Sequence, residues 1–124
     1  MAYDRDNIFA KILRGEIPCD RVYEDEHAFA FRDISPLTPQ HVLVIPKGEY
    51  RSLDDFTANA SDAELAAWVR AIGTVARQLG VVDSGYRALV NTGPDAHQEV
   101  PHLHAHIFAG RDLGAMMRRR ATTG

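Results

Sequence analysis

The sequence predicts an α+β fold: a five-stranded antiparallel sheet with one long and one short helix. Three observations carry this. The elements run helix, three strands, long helix, two strands, with no repeating βαβ unit and no internal repeat. The strands within each group are joined by connections too short for parallel crossovers, which favours antiparallel pairing. One stretch after Ser61 carries a long helical apolar stripe that can cover a sheet face.

The elements follow in order. Asp6 is placed to cap a short helix whose stripe is Ile8, Phe9, Ile12 and Leu13, and Gly15 sits where a C-terminal cap belongs. Pro18 ends any continuation. Residues 21–24 and 28–32 read as two strands around the turn-forming Glu24-Asp-Glu26. Ser35-Pro-Leu-Thr-Pro39 is a rigid connection into a strand over 41–45, stopped by Pro46. Residues 48–60 read as irregular, with a helical turn near Leu53. Ser61 and Glu64 then form a capping box, followed by Leu65, Trp68, Val69, Ile72, Val75, Ala76 and Leu79 on one stripe, closed by Gly80. A strand over 86–91, a turn-rich loop over 92–101 and a last strand over 102–108 complete a single domain spanning 1–111. A polar tail, 112–124, contains Arg118-Arg-Arg120, read as a solvated end.

Composition narrows the setting. With 124 residues, 45% hydrophobic and 25% charged, the chain supports one ordinary globular core and not two. A net charge of −3 offers no general attraction for nucleic acid or an anionic membrane, so neither is expected as a partner. Residues 1–7 carry two acidic groups and no apolar core, unlike a signal peptide, and no apolar run approaches a membrane span. The single cysteine, Cys19, allows no internal disulfide and reads as a small buried hydrophobe. A cytoplasmic location is expected.

The chemistry concentrates in His102-Leu-His-Ala-His-Ile-Phe108. At the period of a strand, His102, His104 and His106 share one face while Leu103, Ala105 and Ile107 share the other. A solvated face would more often use Lys, Glu, Thr and Ser. A catalytic metal is a second reading, with Glu99 or His41 as a fourth ligand. Against it, three alternate positions span roughly 13 Å, which strains convergence on one ion. The third reading is attack on phosphorus by a neutral imidazole, with neighbouring imidazoles disfavouring each other's charging and donating to phosphate oxygens. Asn91 and Gln98 lie near the histidine strand if 86–91 pairs with it, and their amides can fix a phosphate without adding charge. His27 reads as a surface residue, and His97 is ambiguous.

The motif matches the His-φ-His-φ-His-φ-φ signature of the histidine triad (HIT) superfamily. The likeness to its Hint branch extends through Asn7-Ile-Phe-Ala-Lys-Ile-Leu-Arg-Gly-Glu-Ile-Pro18, Phe31-Arg-Asp-Ile-Ser-Pro36, His41-Val-Leu-Val-Ile-Pro-Lys47, Gly85-Tyr-Arg-Ala-Leu-Val-Asn-Thr-Gly93 and Gly110-Arg111. This resemblance implies a HIT-like fold and hydrolysis of purine nucleoside 5′-phosphoramidates, with AMP or GMP derivatives as ligands and neither cofactor nor metal. It implies His104 as a nucleophile forming a nucleotidyl-histidine, His106 on the α-phosphate, and His102 with His41 orienting the nucleophile. Asn91 and Gln98 would hold the phosphate, Asp33 would accept from the ribose hydroxyls, and Ile8, Phe9, Ile12, Phe31 and Ile34 would line the base pocket. It also implies a homodimer with sheets joined through the long helix and the 86–91 strand. The alternatives are a dinucleoside polyphosphate hydrolase of the same superfamily and a nucleotide-binding regulatory protein with little catalysis.

Two positions depart from the pattern. Glu99 stands where eukaryotic Hint enzymes commonly carry Ser; it either contacts the leaving group or turns outward to structure its loop. Residues 112–120 replace a Trp-Pro-Pro-Gly-like ending.

Overall fold

The structure is a computed structural model that describes residues 2–117; the Arg118–Arg120 triplet lies outside them. Three helices, α1 (Ile8–Leu13), α2 (Leu53–Asn59) and α3 (Asp62–Gln78), accompany five strands. The strands are β1 (Arg21–Glu24), β2 (Ala28–Arg32), β3 (Gln40–Pro46), β4 (Tyr86–Val90) and β5 (Ala105–Ala109). They form one sheet in the order β1-β2-β3-β5-β4 with every pairing antiparallel. The expected five-stranded antiparallel sheet is what the chain forms.

Period-2 alternation divides the sheet into two cores. Ala28, Ala30, Val42, Val44, Ala105 and Ile107 face α2 and α3, where they bury with Leu103, Phe56, Trp68, Ala71 and Val75. The alanines on this face let α3 approach closely enough for Trp68 to fill the space and donate its Nε1–H to the Val44 carbonyl at 3.1 Å. Phe29, Phe31, Leu43 and Ile45 face the other way, against Phe9 and Ile12 of α1. The register sets Leu43 opposite His106 and His41 opposite Phe108, so the histidines lie on the α1 face.

Local differences from the sequence reading have local causes. Asn7, not Asp6, caps α1, accepting the Ala10 N–H at 2.9 Å. Residues 53–59 form a second short helix because the Ser52 hydroxyl accepts the Asp55 N–H, and Phe56 buries the inner side. The Ser61–Glu64 capping box is present as expected. The last strand begins at Ala105, since the Leu103 N–H is taken by the Tyr50 carbonyl instead of a ladder partner. Gly110, at φ +101°, turns the chain off β5; a Cβ there would sit 2.8 Å from Pro39. No helix among the described residues is long and apolar enough to cross a membrane.

Candidate active site

The α1 face of the sheet opens into a cavity of about 710 Å³, within the range of small-molecule sites. Its walls are mainly apolar: Ile8, Phe9, Ile12 and Phe31 on one side, Leu43, Leu89, Val100 and Phe108 beneath. Its polar lining is Asp33, His41, His104, His106, Asn91, His97 and Glu99, of which Asp33, His41, His106 and His104 adjoin one another. Ile34 stands at the rim with 88% of its surface exposed.

The hydrogen-bond partners of the histidines determine which ring nitrogens carry protons. His104 Nδ1 lies 2.8 Å from the His102 carbonyl, which can only accept, so Nδ1 bears the hydrogen and Nε2 keeps its lone pair. That Nε2 has no described partner. No buried side-chain nitrogen or oxygen among the described residues lacks one, so the atom faces the cavity.

His106 is set the opposite way. His41 Nδ1 accepts the Leu37 N–H at 3.2 Å, which puts the His41 proton on Nε2. That Nε2 donates to His106 Nδ1 at 2.9 Å, with Asp33 Oδ2 3.6 Å away. His106 therefore carries its own proton on Nε2. The two rings, with centroids 5.0 Å apart, present a bare nitrogen and an N–H to the same space. This pairing provides a nucleophile beside a hydrogen-bond donor, an arrangement suited to attack on a phosphoryl centre.

Several placements revise the sequence reading. His102 is fully buried behind the cavity, its Nε2 on the Pro46 carbonyl at 2.8 Å; it meets His104 through its backbone carbonyl. His41 bonds His106, not His104, because β3 pairs His41 with Phe108 and sets it diagonal to His106. Gln98 does not line the cavity: its amide accepts the Gly93 N–H and donates to the Arg51 and Val100 carbonyls, which consumes it in shaping the loop. Glu99 is exposed at the cavity wall and makes no side-chain hydrogen bond or ion pair among the described residues, so the loop-structuring role falls to Gln98. Cys19 is half-buried and lines the cavity. Phe108 and Leu43 share the histidine face by strand period and register, a signal the sequence contained. His97, at φ +58°, enters through a left-handed turn that no local pattern announced.

The metal reading takes a different shape here. The three triad histidines do not converge, because His102 turns away. Asp33, His41 and His106 place ligand atoms within 4.8 Å of one another, a set able to hold a metal ion. Two of those residues, His41 and His106, already bond each other at 2.9 Å.

Burial favours the neutral form of all four rings. It pushes His102 down to about 4, and likewise His106, where nearby His104 and His41 push the same way. His41 and His104 are lowered too, by burial, against the pull of Asp33. Unfolding returns His102 and His106 to an ordinary value of 6.5, so the unfolded chain binds more protons between these limits. Their contribution to stability is complete above pH 6.5 and is lost as pH falls toward about 4. The expected slope is up to about 1.4 kcal/mol per pH unit for each ring. Urea denaturation across this window checks it, and a flat midpoint would contradict neutral buried rings.

An antiparallel α+β sheet that lays alternate histidines against a nucleotide-sized cavity defines a histidine-triad protein. The chain belongs to the HIT family: the HIT domain model matches residues 14–113. A HIT-like protein of Azospirillum brasilense is 60% identical over 94% of this chain and 96% of its own. The purine nucleoside phosphoramidase of Escherichia coli K12 is 41% identical over 93% of this chain and 96% of its own, in keeping with the Hint-branch resemblance. A solved histidine triad protein from Clostridium difficile superposes with a TM-score of 0.81 at 40% identity, covering 94% of this chain and all of that one.

Proposed function

We propose that this protein hydrolyses purine nucleoside 5′-phosphoramidates to the nucleoside monophosphate and a free amine. The observation that carries the reading is the proton arrangement: a bare His104 Nε2 beside the His106 Nε2–H, over an apolar cavity. His104 Nε2 attacks the α-phosphorus and the P–N bond breaks. The amine departs toward the open side, taking a proton from solvent. Water then attacks the nucleotidyl-histidine, returning His104 and releasing the monophosphate. His106 donates to a phosphate oxygen, and His41 keeps that donor in place through its own bond to Nδ1. Asn91 adds an amide at the phosphate end. Asp33 accepts from the ribose hydroxyls, and Ile8, Phe9, Ile12 and Phe31 sandwich the base. The activity named for the E. coli relative supports the same bond type.

The unbonded Glu99 carboxylate at the cavity wall is suited to hydrogen-bonding a departing amine. A panel of phosphoramidates, dinucleoside polyphosphates and adenylyl sulfate, run on wild type and Glu99→Gln, tests both points. Phosphoramidates are expected to be turned over fastest, with Glu99→Gln reducing their kcat/KM by about tenfold, as loss of one charge-assisted hydrogen bond implies. Preference for polyphosphates would overturn the P–N assignment. Nucleotide binding without turnover on the whole panel would favour a regulatory binding protein.

We also infer a homodimer, joined along β4 and α3. β4 is a sheet edge that begins at the exposed Tyr86, and Val69 of α3 and Val82 after it also expose large apolar side chains. Sedimentation equilibrium is expected to give twice the 13.8 kDa chain mass; a monomer at micromolar concentration would refute it.

A further inference from the structure

We propose that Tyr3 is a positioning residue for the reaction, holding the His102 ring in one pose and so fixing the backbone carbonyl that orients His104. It rests on the proposed role of His104 as nucleophile. Tyr3 lies ahead of the stretch that matches the HIT domain, and no pattern in the sequence marks it.

The argument begins with the His102 ring, none of whose surface is exposed. Its Nε2 sits 2.8 Å from the Pro46 carbonyl, which forces the proton onto Nε2. Nδ1 is then an acceptor in a dry environment, where an unmet acceptor is costly. Its partner is the Tyr3 hydroxyl at 2.6 Å, donating its O–H. The Tyr3 ring also meets the His102 ring edge-on, with centroids 5.6 Å apart.

Tyr3 is itself anchored. The Asn7 side chain caps α1 and donates to the Asp4 carbonyl at 2.7 Å, while Asp4 Oδ1 accepts the Asp6 N–H at 2.9 Å. The segment after Tyr3 is thereby wound against the start of α1. Phe9, two residues beyond the cap, packs edge-on against both His102 and His104, at 6.3 and 5.0 Å. Tyr3 and Phe9 thus both pack edge-on against the His102 ring.

Both nitrogens of the ring are spoken for, and the same residue's carbonyl takes the Nδ1–H of His104. Without the Tyr3 hydroxyl, the Pro46 carbonyl still keeps the proton on Nε2, so the ring relieves its bare Nδ1 only by rotating toward another donor or by admitting a water. Either change releases the defined pose of residue 102. The carbonyl then no longer holds one aim, and His104 spends part of its time with Nε2 turned from the line of attack.

Tyr3→Phe removes the O–H and keeps the ring packing. Two measurements judge it: imidazole ¹⁵N spectra of the substrate-free protein, and steady-state kinetics on a phosphoramidate. In wild type His102 is expected as a single Nε2–H tautomer. In Tyr3→Phe its Nδ1 shift is expected to move away from the hydrogen-bonded position while Nε2 keeps its proton, with kcat down about fivefold to tenfold. KM is expected to change less than about twofold, because the base and ribose contacts are untouched. Unchanged His102 nitrogen shifts overturn the proposal, and so does a changed Nδ1 shift that leaves kcat at the wild-type value. The spectra need no substrate, so absent wild-type turnover counts against the functional reading alone, not against the Tyr3–His102 link.

Discussion

His104→Ala is expected to lower phosphoramidate turnover by about 10⁴-fold or more, the scale seen when a covalent nucleophile is removed. The expectation follows from the protons. His104 contributes the bare nitrogen on the cavity, with its other nitrogen committed to the His102 carbonyl. His106 cannot substitute, because the bond from His41 occupies its Nδ1 and leaves only an N–H toward the ligand. Alanine leaves the apolar walls and Asp33 in place, so AMP binding measured by calorimetry should stay close to wild type. Mass spectrometry of stopped reactions should show a nucleotidyl adduct on wild type and none on the variant. Turnover within tenfold of wild type would remove His104 from the nucleophile role.

The second large effect is on stability. Trp68→Ala is expected to cost about 3–5 kcal/mol, the usual range for emptying an indole site in a core. Trp68 is 5% exposed, meets Phe56 edge-on at 5.4 Å and donates to the Val44 carbonyl. Domains of this kind have a total stability of about 5–15 kcal/mol, so the loss is a large fraction. Trp68→Phe keeps most of the packing and leaves the Val44 carbonyl without this donor, for about 1–2 kcal/mol. Because Val44 shares β3 with His41, a strand loosened here would be felt in the His41–His106 bond. Urea denaturation of both variants measures the two terms separately. A loss below about 1 kcal/mol for Trp68→Ala would mean that α3 is not what seals this face.

Much of the fold was readable because its signals are local. The Ser61–Glu64 box lies within one helical turn, and the continuous apolar run Val42-Leu-Val-Ile45, stopped by Pro46, reports a strand whichever partners it finds. Misjudged elements involved a competition between local groups. Asn7 and Asp6 are both competent caps, and the choice depends on which backbone turn precedes the helix. Residues 53–59 show only one large buried side chain, Phe56, so their helix has little periodic signal. In the site, the residue types were legible and their partners were not. His41 was expected on the nucleophile and lies on His106; Gln98 was expected on phosphate and holds its loop.

By itself the sequence determined the order of elements, the antiparallel sheet, and three histidines on alternate positions near the end of the domain. Only the tertiary structure decided what each histidine is. An imidazole has two interchangeable nitrogens, and which one carries the proton depends on the groups facing them. Here those groups come from distant positions: the Pro46 carbonyl and Tyr3 hydroxyl for His102, and His41, itself set by the Leu37 N–H, for His106. Three chemically identical side chains became a buried support, a ring with a bare nitrogen on the cavity and a ring with an N–H there only when folding brought those partners to them.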